Sequence, residues 1–313
     1  VKEKFRQYFN TLLRGQVVME EPLSQHTSFR IGGPADVYFY PKDFEDLAKA
    51  LFVCQEEEIP WFVIGNGTNL LVSDKGFRGL VIDVSQTFRK LSRNGNRVTV
   101  GSGILLSEFL SFLLQHGLSG FENLAGIPGQ IGGAIRLNAG AFDTEIGDCL
   151  SSVSFIDSHG QFHTRSRSEI QMGYRTTDLP SPIVIFEAEF QFAPGKREEM
   201  EARQHAILSR RRKTQPLSWP SAGSVFKRPP GDFAGRLIEQ AGLKGLRKGD
   251  AEVSPQHANF IINLGSATAN DVVSLILEIQ QRVEERFGIF LEPELHFLGF
   301  EKSVEARLFG RNR

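Results

Sequence analysis

The chain has 313 residues, more than one hydrophobic core usually serves, so two or three compact regions are expected. Its 36 basic and 37 acidic residues leave a formal net charge of -1, which excludes a global field for nucleic acid or an anionic membrane. No apolar run reaches membrane-spanning length, and Cys54 and Cys149 each stand alone in an apolar segment, the pattern of a cytoplasmic protein with reduced thiols.

Residues 1–20 begin "VKEKFRQYFN", too polar for a secretory signal, and carry Phe5, Phe9, Leu12 and Leu13 at the spacing of a short amphipathic helix. "SFRIGGPADVYFY" reads as a strand interrupted by a glycine pair. Asp43 is placed to cap a helix with Phe44, Leu47, Leu51 and Phe52 inward. "IPWFVIG", "GLVIDV" and "RVTVGSG" read as strands, the first as an all-apolar strand buried on both faces. Between Leu105 and His116 lies a helix with Leu106, Phe109, Leu110, Leu113 and Leu114 inward and Gly117 past its end. "SVSFID" and "IVIFEAEFQF" are further strands.

After a Pro-Gly break the texture changes to a long charged helix, and a domain boundary is expected near residue 195. Beyond it come a proline-rich polar loop, a helix around 232–242 and a strand at "NFIINL". A helix from Asn270, as cap, to Phe287 follows, with Gly288 past its end. "GIFLEPELHFLGF" closes the fold as a strand. The fold class expected is α+β.

Two glycine segments carry the first hint of a site. "GNGTN" (Gly65–Asn69) directly follows an apolar strand, so successive N–H groups can face an anion. A dinucleotide fingerprint needs a third glycine where Leu70 stands, and the Walker ending is also missing. "GIPGQIGGAIRLNAG" (Gly126–Gly140) offers a long loop of bare backbone, and 101–103 a third small one. Two readings fit: an extended phosphate-bearing ligand lying across backbone, or a loop-rich β region with close strand approaches. The seven histidines lack paired spacing, so no metal is expected.

The ordered motifs "TSFRIGGPAD", "VIGNGTNLLVSD", "GLSGFENLAGIPGQIGGAIRLNAGAF", "GYRTT", "PSAGSVFKRP" and "LEPEL" resemble those of the UDP-N-acetylenolpyruvoylglucosamine reductase family, over about residues 20–300. The chain looks like the shorter subtype. The resemblance implies an FAD-binding domain of the p-cresol methylhydroxylase type, built from two subdomains, over 20–195. It implies a smaller α+β substrate-binding domain over 196–300, whose strand at 289–300 returns to the active site. It also implies tightly bound, non-covalent FAD and NADPH as co-substrate, and no obligate protein partner is evident. The cofactor positions carried over are Gly65, Asn66, Gly67, Thr68, Asn69, Leu70, Ile127, Pro128, Gly129, Gly132, Gly133, Asn138, Ala139, Gly140 and Ala141.

The implied reaction reduces an enolpyruvyl ether conjugated to a carboxylate. The site must hold an electron-rich intermediate and then protonate carbon. By resemblance, Arg175 is the charged fork for the carboxylate, Ser224 the proton donor and Glu294 the third catalytic group. Strand period puts Leu291, Pro293, Leu295 and Phe297 on one face of "LEPELHF" and Glu292, Glu294 and His296 on the other. Periodicity does not choose between the two glutamates; the family motif selects Glu294. A carboxylate facing a substrate carboxylate is expected to be protonated or to share a proton. Tyr174, Lys227, Gln256, His257 and Asn259 are substrate-binding candidates, whereas Arg210–Lys213 reads better as cations at a helix end. Arg136 has no assigned role, and valine at Gly129 or Gly132 is expected to abolish flavin binding before folding. Competing readings are another FAD-dependent oxidoreductase of the same superfamily and a non-catalytic UDP-sugar-binding module.

Overall fold

The computed structural model describes residues 8–310. Helix is described over 8–12 and ends before β1 (Gln16–Pro22), so the helix expected over 1–20 stops by residue 12; residues 1–7 lie outside the described ones. β2 (Pro34–Tyr40) begins only after the glycine pair. Before it, Gly33 packs so closely on the chain that a Cβ would fall 2.2 Å from the Asp74 carbonyl oxygen. In α1 (Phe44–Glu56) the Asp43 carboxylate accepts the Asp46 N–H at 3.0 Å, as the capping pattern implies. Leu47, Ala50, Leu51 and Cys54 form its buried stripe, whereas Phe52 is 62% exposed and Phe44 37%, contrary to the inward placement expected for both.

There follow β3 (Trp61–Ile64), which is half-buried rather than covered on both faces, β4 (Leu70–Val72), β5 (Phe77–Asp83), β6 (Leu91–Asn94) and β7 (Arg97–Gly101). Next come α2 (Leu106–Gln115), α3 (Ile131–Arg136), β8 (Leu150–Asp157), β9 (Phe162–Ser166) and β10 (Ile183–Gln191). The chain continues through α4 (Arg197–Thr214), α5 (Ala234–Gln240), β11 (Arg247–Lys248), β12 (Ala251–Val253) and β13 (Ile261–Asn263). It ends with α6 (Ala269–Phe287), β14 (His296–Leu298) and α7 (Lys302–Leu308).

These elements form two compact units. The first takes the chain up to Glu20, Asp36–Asn66 and Gly79–Arg211. Its larger sheets are β1-β2-β5-β3 and β9-β8-β10-β7-β6, over two cores. One core centres on Phe39, Leu47, Leu51, Leu80 and Ile82. The other centres on Phe109, Phe121, Ile131 and Phe190. The second unit takes Glu21–Ala35, Gly67–Arg78 and the chain from Arg212 onward. Its core joins Phe29, Ile31 and Leu71 to Leu237, Ile276, Leu291 and Phe297. Two stretches of the N-terminal half therefore belong with the C-terminal chain, and most of α4 lies before the division rather than after a cut near 195.

Within the second unit, β14 pairs in parallel with β4, placing His296 beside Leu70. The cap of α6 is Thr268, two residues before the expected Asn270. Thr268 and Asp271 exchange side-chain and backbone bonds in a capping box. The Asp74 carboxylate also accepts the N–H groups of Ala269 and Asn270, at 2.7 and 3.1 Å. Gly288 closes the helix in the left-handed region, with φ 68°. No described helix is long and apolar enough to cross a membrane.

Candidate active site

In the first unit, Gly126–Gly140 is not one loop. Gly126–Gln130 is a loop, and α3 then runs through Gly132 and Gly133 because Ile131, Ala134 and Ile135 give it a buried face. The loop is strapped to the chain after β7. Leu106 N–H donates to the Gly129 carbonyl at 2.9 Å, Ile131 N–H to Ile104 at 2.9 Å, and Gly132 N–H to Ser102 at 3.0 Å. Bareness has different causes along it. Gly129 has φ 109°, which only glycine adopts readily, and a Cβ on Gly132 would stand 3.0 Å from Ser102 Cβ. A Cβ on Gly65, at the end of β3, would strike Gln130 Oε1 at 2.6 Å. Gly133 is unlike these: a Cβ there would meet no atom within 4 Å. Ile127 is half-buried and Pro128 exposed beside it, as is Asn66 after Gly65.

The C-terminal end of α3 builds the platform for Arg175. Arg136, the charge left unassigned by the sequence, donates to the carbonyls of Leu179 and Pro180 at 2.6 and 2.9 Å, and burial lowers its pKa. Thr177 Oγ1 donates to the Arg136 carbonyl, and Asn138 Nδ2 to that of Gly173 at 3.1 Å. Asn138 also bonds Glu145 and Gly147, so its amide organises protein chain. Ala139 leads into the ladder in which Gly140 and Ala141 oppose Glu145 and Thr144. Met172–Gly173 and Thr176–Thr177 form a small hairpin whose two-residue turn is Tyr174-Arg175. Arg175 has φ 57°, and its guanidinium lies 5.0 Å from the Tyr174 ring centre. Arg211, on α4, is half-buried; burial first, and then the charge of Arg175, lowers its pKa. Arg210 and Arg211 both stand over the Phe142 ring, at 4.8 and 5.9 Å. The positive charge of Arg175 thus reaches Arg211.

The second unit assembles Ser224, Lys227, Asn259, Glu294 and Asn69 through main chain. The segment after Gly223 lies between two partners, with Ser224 bridging Phe260 and Phe226 bridging Pro293. Glu294 N–H donates to the Val225 carbonyl at 2.7 Å, and Lys227 N–H to that of Glu292 at 2.9 Å. Asn259 is 8% exposed. It accepts the Phe226 N–H and donates to the Phe226 carbonyl, at 3.0 and 2.9 Å, so it holds the segment that carries Ser224. Asn69 donates to the Glu294 carbonyl at 3.0 Å and accepts the His296 N–H at 2.9 Å. Leu70 continues into β4, while Thr68 is half-buried. A Cβ on Gly67 would lie 2.3 Å from the His26 carbonyl oxygen, so backbone approach explains this glycine.

Alternation along 291–297 is as expected: Leu291, Pro293, Leu295 and Phe297 are buried, while Glu292 and Glu294 are half-exposed. Glu292 is ion-paired to Lys227 at 2.7 Å. Two further candidates face protein. Gln256 Nε2 donates to the Lys213 carbonyl at 3.2 Å, and the His257 ring packs against Phe260. Burial lowers the pKa of His257 below the usual 6.5. Sequence reasoning passed over Ser28, whose Oγ donates to the Ser221 carbonyl at 2.7 Å and ties the start of "SAGS" to the segment before β2. It also passed over Gln130 and Ser102, whose burial no local pattern announces.

The residues of the first unit fit a flat, phosphate-bearing cofactor. Among the described residues, no atom excludes a side chain at Gly133, and the buried Ser102 hydroxyl has no hydrogen-bond partner. Both features are unexplained by packing alone. Comparison with known proteins agrees. Residues 35–166 match the model of an FAD binding domain, and residues 215–298 match that of the UDP-N-acetylenolpyruvoylglucosamine reductase C-terminal domain. The UDP-N-acetylenolpyruvoylglucosamine reductase of Desulforamulus reducens is 44% identical over 92% of this chain and 96% of its own length. That of Alkaliphilus oremlandii is 43% identical over 91% and 94%. The crystal structure of the Thermus caldophilus enzyme superposes with a TM-score of 0.79 at 38% identity, covering 92% of this chain and all of that one. With an FAD-binding region, a matching C-terminal region and relatives aligned from end to end, the chain belongs to the UDP-N-acetylenolpyruvoylglucosamine reductase family of FAD-containing oxidoreductases.

Proposed function

We propose that this protein reduces UDP-N-acetylenolpyruvoylglucosamine to UDP-N-acetylmuramate, with NADPH as reductant, in the supply of peptidoglycan precursors. The observation that carries the reading is the 44% identity, over nearly the whole chain, to a protein named for that reduction. A cytoplasmic setting, where nucleotide sugars and NADPH are met, is part of the proposal.

When bound and reduced, FAD supplies the hydride. A hydride added to the substrate methylene leaves an electron pair on the carbon next to the carboxylate, delocalised into its oxygens. Arg175 is proposed to bind those oxygens through its planar fork, with Arg211 as a second cation in its field. Ser224 Oγ–H is proposed to give its proton to the carbon; a hydroxyl is a weak acid, but the carbanion-like carbon is a stronger base. Glu294 is proposed to be protonated and to donate a hydrogen bond to the charged oxygens. The Glu294 N–H to Val225 bond supports this pairing of roles, because it fixes the glutamate in register with the residue after Ser224. Lys227, steadied by Glu292, is proposed for the substrate's diphosphate, with Tyr174 as a sugar or nucleotide contact.

The test is a purified protein that is yellow and oxidises NADPH only when UDP-N-acetylenolpyruvoylglucosamine is present. A colourless protein that takes up no FAD defeats the reading. NADPH oxidation indifferent to that substrate would favour another oxidoreductase of the superfamily.

A further inference from the structure

Ser102 stands just past β7, is 2% exposed, and its Oγ is buried with no hydrogen-bond partner among the described residues. Its main chain is pinned on both sides: the N–H donates to the Phe186 carbonyl at 3.0 Å, and the carbonyl accepts the Gly132 N–H at 3.0 Å. The backbone therefore cannot shift to bring the hydroxyl to solvent. Packing does not require the oxygen either, since an alanine would keep the Cβ contact beside Gly132. A buried hydroxyl without a partner is disfavoured in a folded protein and calls for a specific reason.

Its surroundings supply one. The Cβ stands 3.0 Å from the position of a Cβ on Gly132, and the next residue is Gly133, where a Cβ would meet no protein atom within 4 Å. Gln130, 6% exposed, begins the same short helix. The orphan hydroxyl thus belongs to the residue beside Gly132, one position before the glycine whose bareness fits the cofactor.

We propose that Ser102 is a cofactor-positioning residue, its Oγ–H donating a hydrogen bond to an oxygen of bound FAD. The inference rests on the assignment of FAD to this unit and adds a side-chain contact to what the glycines provide. Diphosphate, ribityl and ring carbonyl oxygens can all accept from a hydroxyl. A bond to a ring carbonyl would move the flavin midpoint potential as well as the affinity, whereas one to the diphosphate or ribityl chain would move affinity alone.

The test is FAD titration of the wild-type apoprotein and of Ser102→Ala, followed by flavin fluorescence, with apoprotein melting recorded alongside. The expected result is a dissociation constant about tenfold higher in the variant, the size of one lost hydrogen bond. The apoprotein melting temperature should be unchanged or raised, because the deleted hydroxyl had no protein partner. Ser102→Cys, which fills the site with a weak donor, should bind FAD as weakly as the alanine variant. Equal FAD affinity in wild type and Ser102→Ala overturns the proposal. So does wild-type affinity in Ser102→Cys, or an apoprotein destabilised in step with the lost affinity. A wild-type protein that binds no FAD would instead remove the cofactor assignment itself.

Discussion

Gly132 and Gly133 are neighbours in one helix, yet they are bare for different reasons. A side chain on Gly132 would press on Ser102, and Gly129 holds a φ of 109°, so valine at either position strains the fold as well as any ligand. The expectation that such variants lose flavin before they lose folding therefore does not fit these two positions. Gly133 allows the clean experiment. In Gly133→Ala the apoprotein should gain up to about 1 kcal/mol of stability, because alanine is the better helix residue. FAD affinity should fall, and paired measurements of melting and flavin binding check both halves. Arg175 gives the matching test of chemistry. Lysine keeps the charge and loses the fork, so Arg175→Lys should lower kcat by about 10²-fold, the scale of one lost charge-stabilising contact, with little change in melting. At this scale the sequence was legible where period is local. The alternation from Leu291 to Phe297 could be read directly, because neighbouring strand residues point to opposite faces. The burial of Ser102 could not, because it depends on Gly132 and Phe186, which are far away in the chain.

Elements were legible to the extent that their ends are written locally. The Asp43 cap and the Gly288 stop are single-residue devices and stand where the pattern put them. Thr268 and Asn270 are both good caps, and the choice falls to Thr268 because Asp271 completes its capping box. Reading Gly126–Gly140 as one loop gave too much weight to glycine propensity and too little to the buried trio Ile131, Ala134 and Ile135. The strand-like segment at 224–227 is held by a side chain rather than by a long ladder. Asn259→Ala would leave a buried N–H and a buried carbonyl of Phe226 unpaired, at a cost of about 2–4 kcal/mol. Denaturant melts should show that loss. Turnover should fall further than binding, because the segment carries Ser224 without Asn259 touching the reaction.

At the scale of the molecule, the α+β class and an N-terminal FAD region could be read from ordered motifs, but the membership of each unit could not. Glu21–Ala35 and Gly67–Arg78 join the C-terminal chain because Phe29, Ile31 and Leu71 complete its core and β4 pairs with β14. No local period encodes a partnership across some 200 residues, and only the folded topology reveals it. A fragment comprising residues 212–313 should accordingly fail to fold, despite containing the whole of the matched reductase C-terminal region. Poor dispersion in its amide proton spectrum would bear this out, and a cooperative melt of the isolated fragment would refute it.

The pairing of β4 with β14 also has a consequence for synthesis. Glu21–Ala35 and Gly67–Arg78 leave the ribosome well before β14, their partner in the second unit, is made. Glu294 lies two residues ahead of that strand, with its carbonyl already bonded by Asn69. A nascent chain cut short before residue 294 therefore lacks both the strand that seals the second unit and the glutamate proposed for the reaction. Truncation before that point is therefore expected to cost stability and the proposed reaction together.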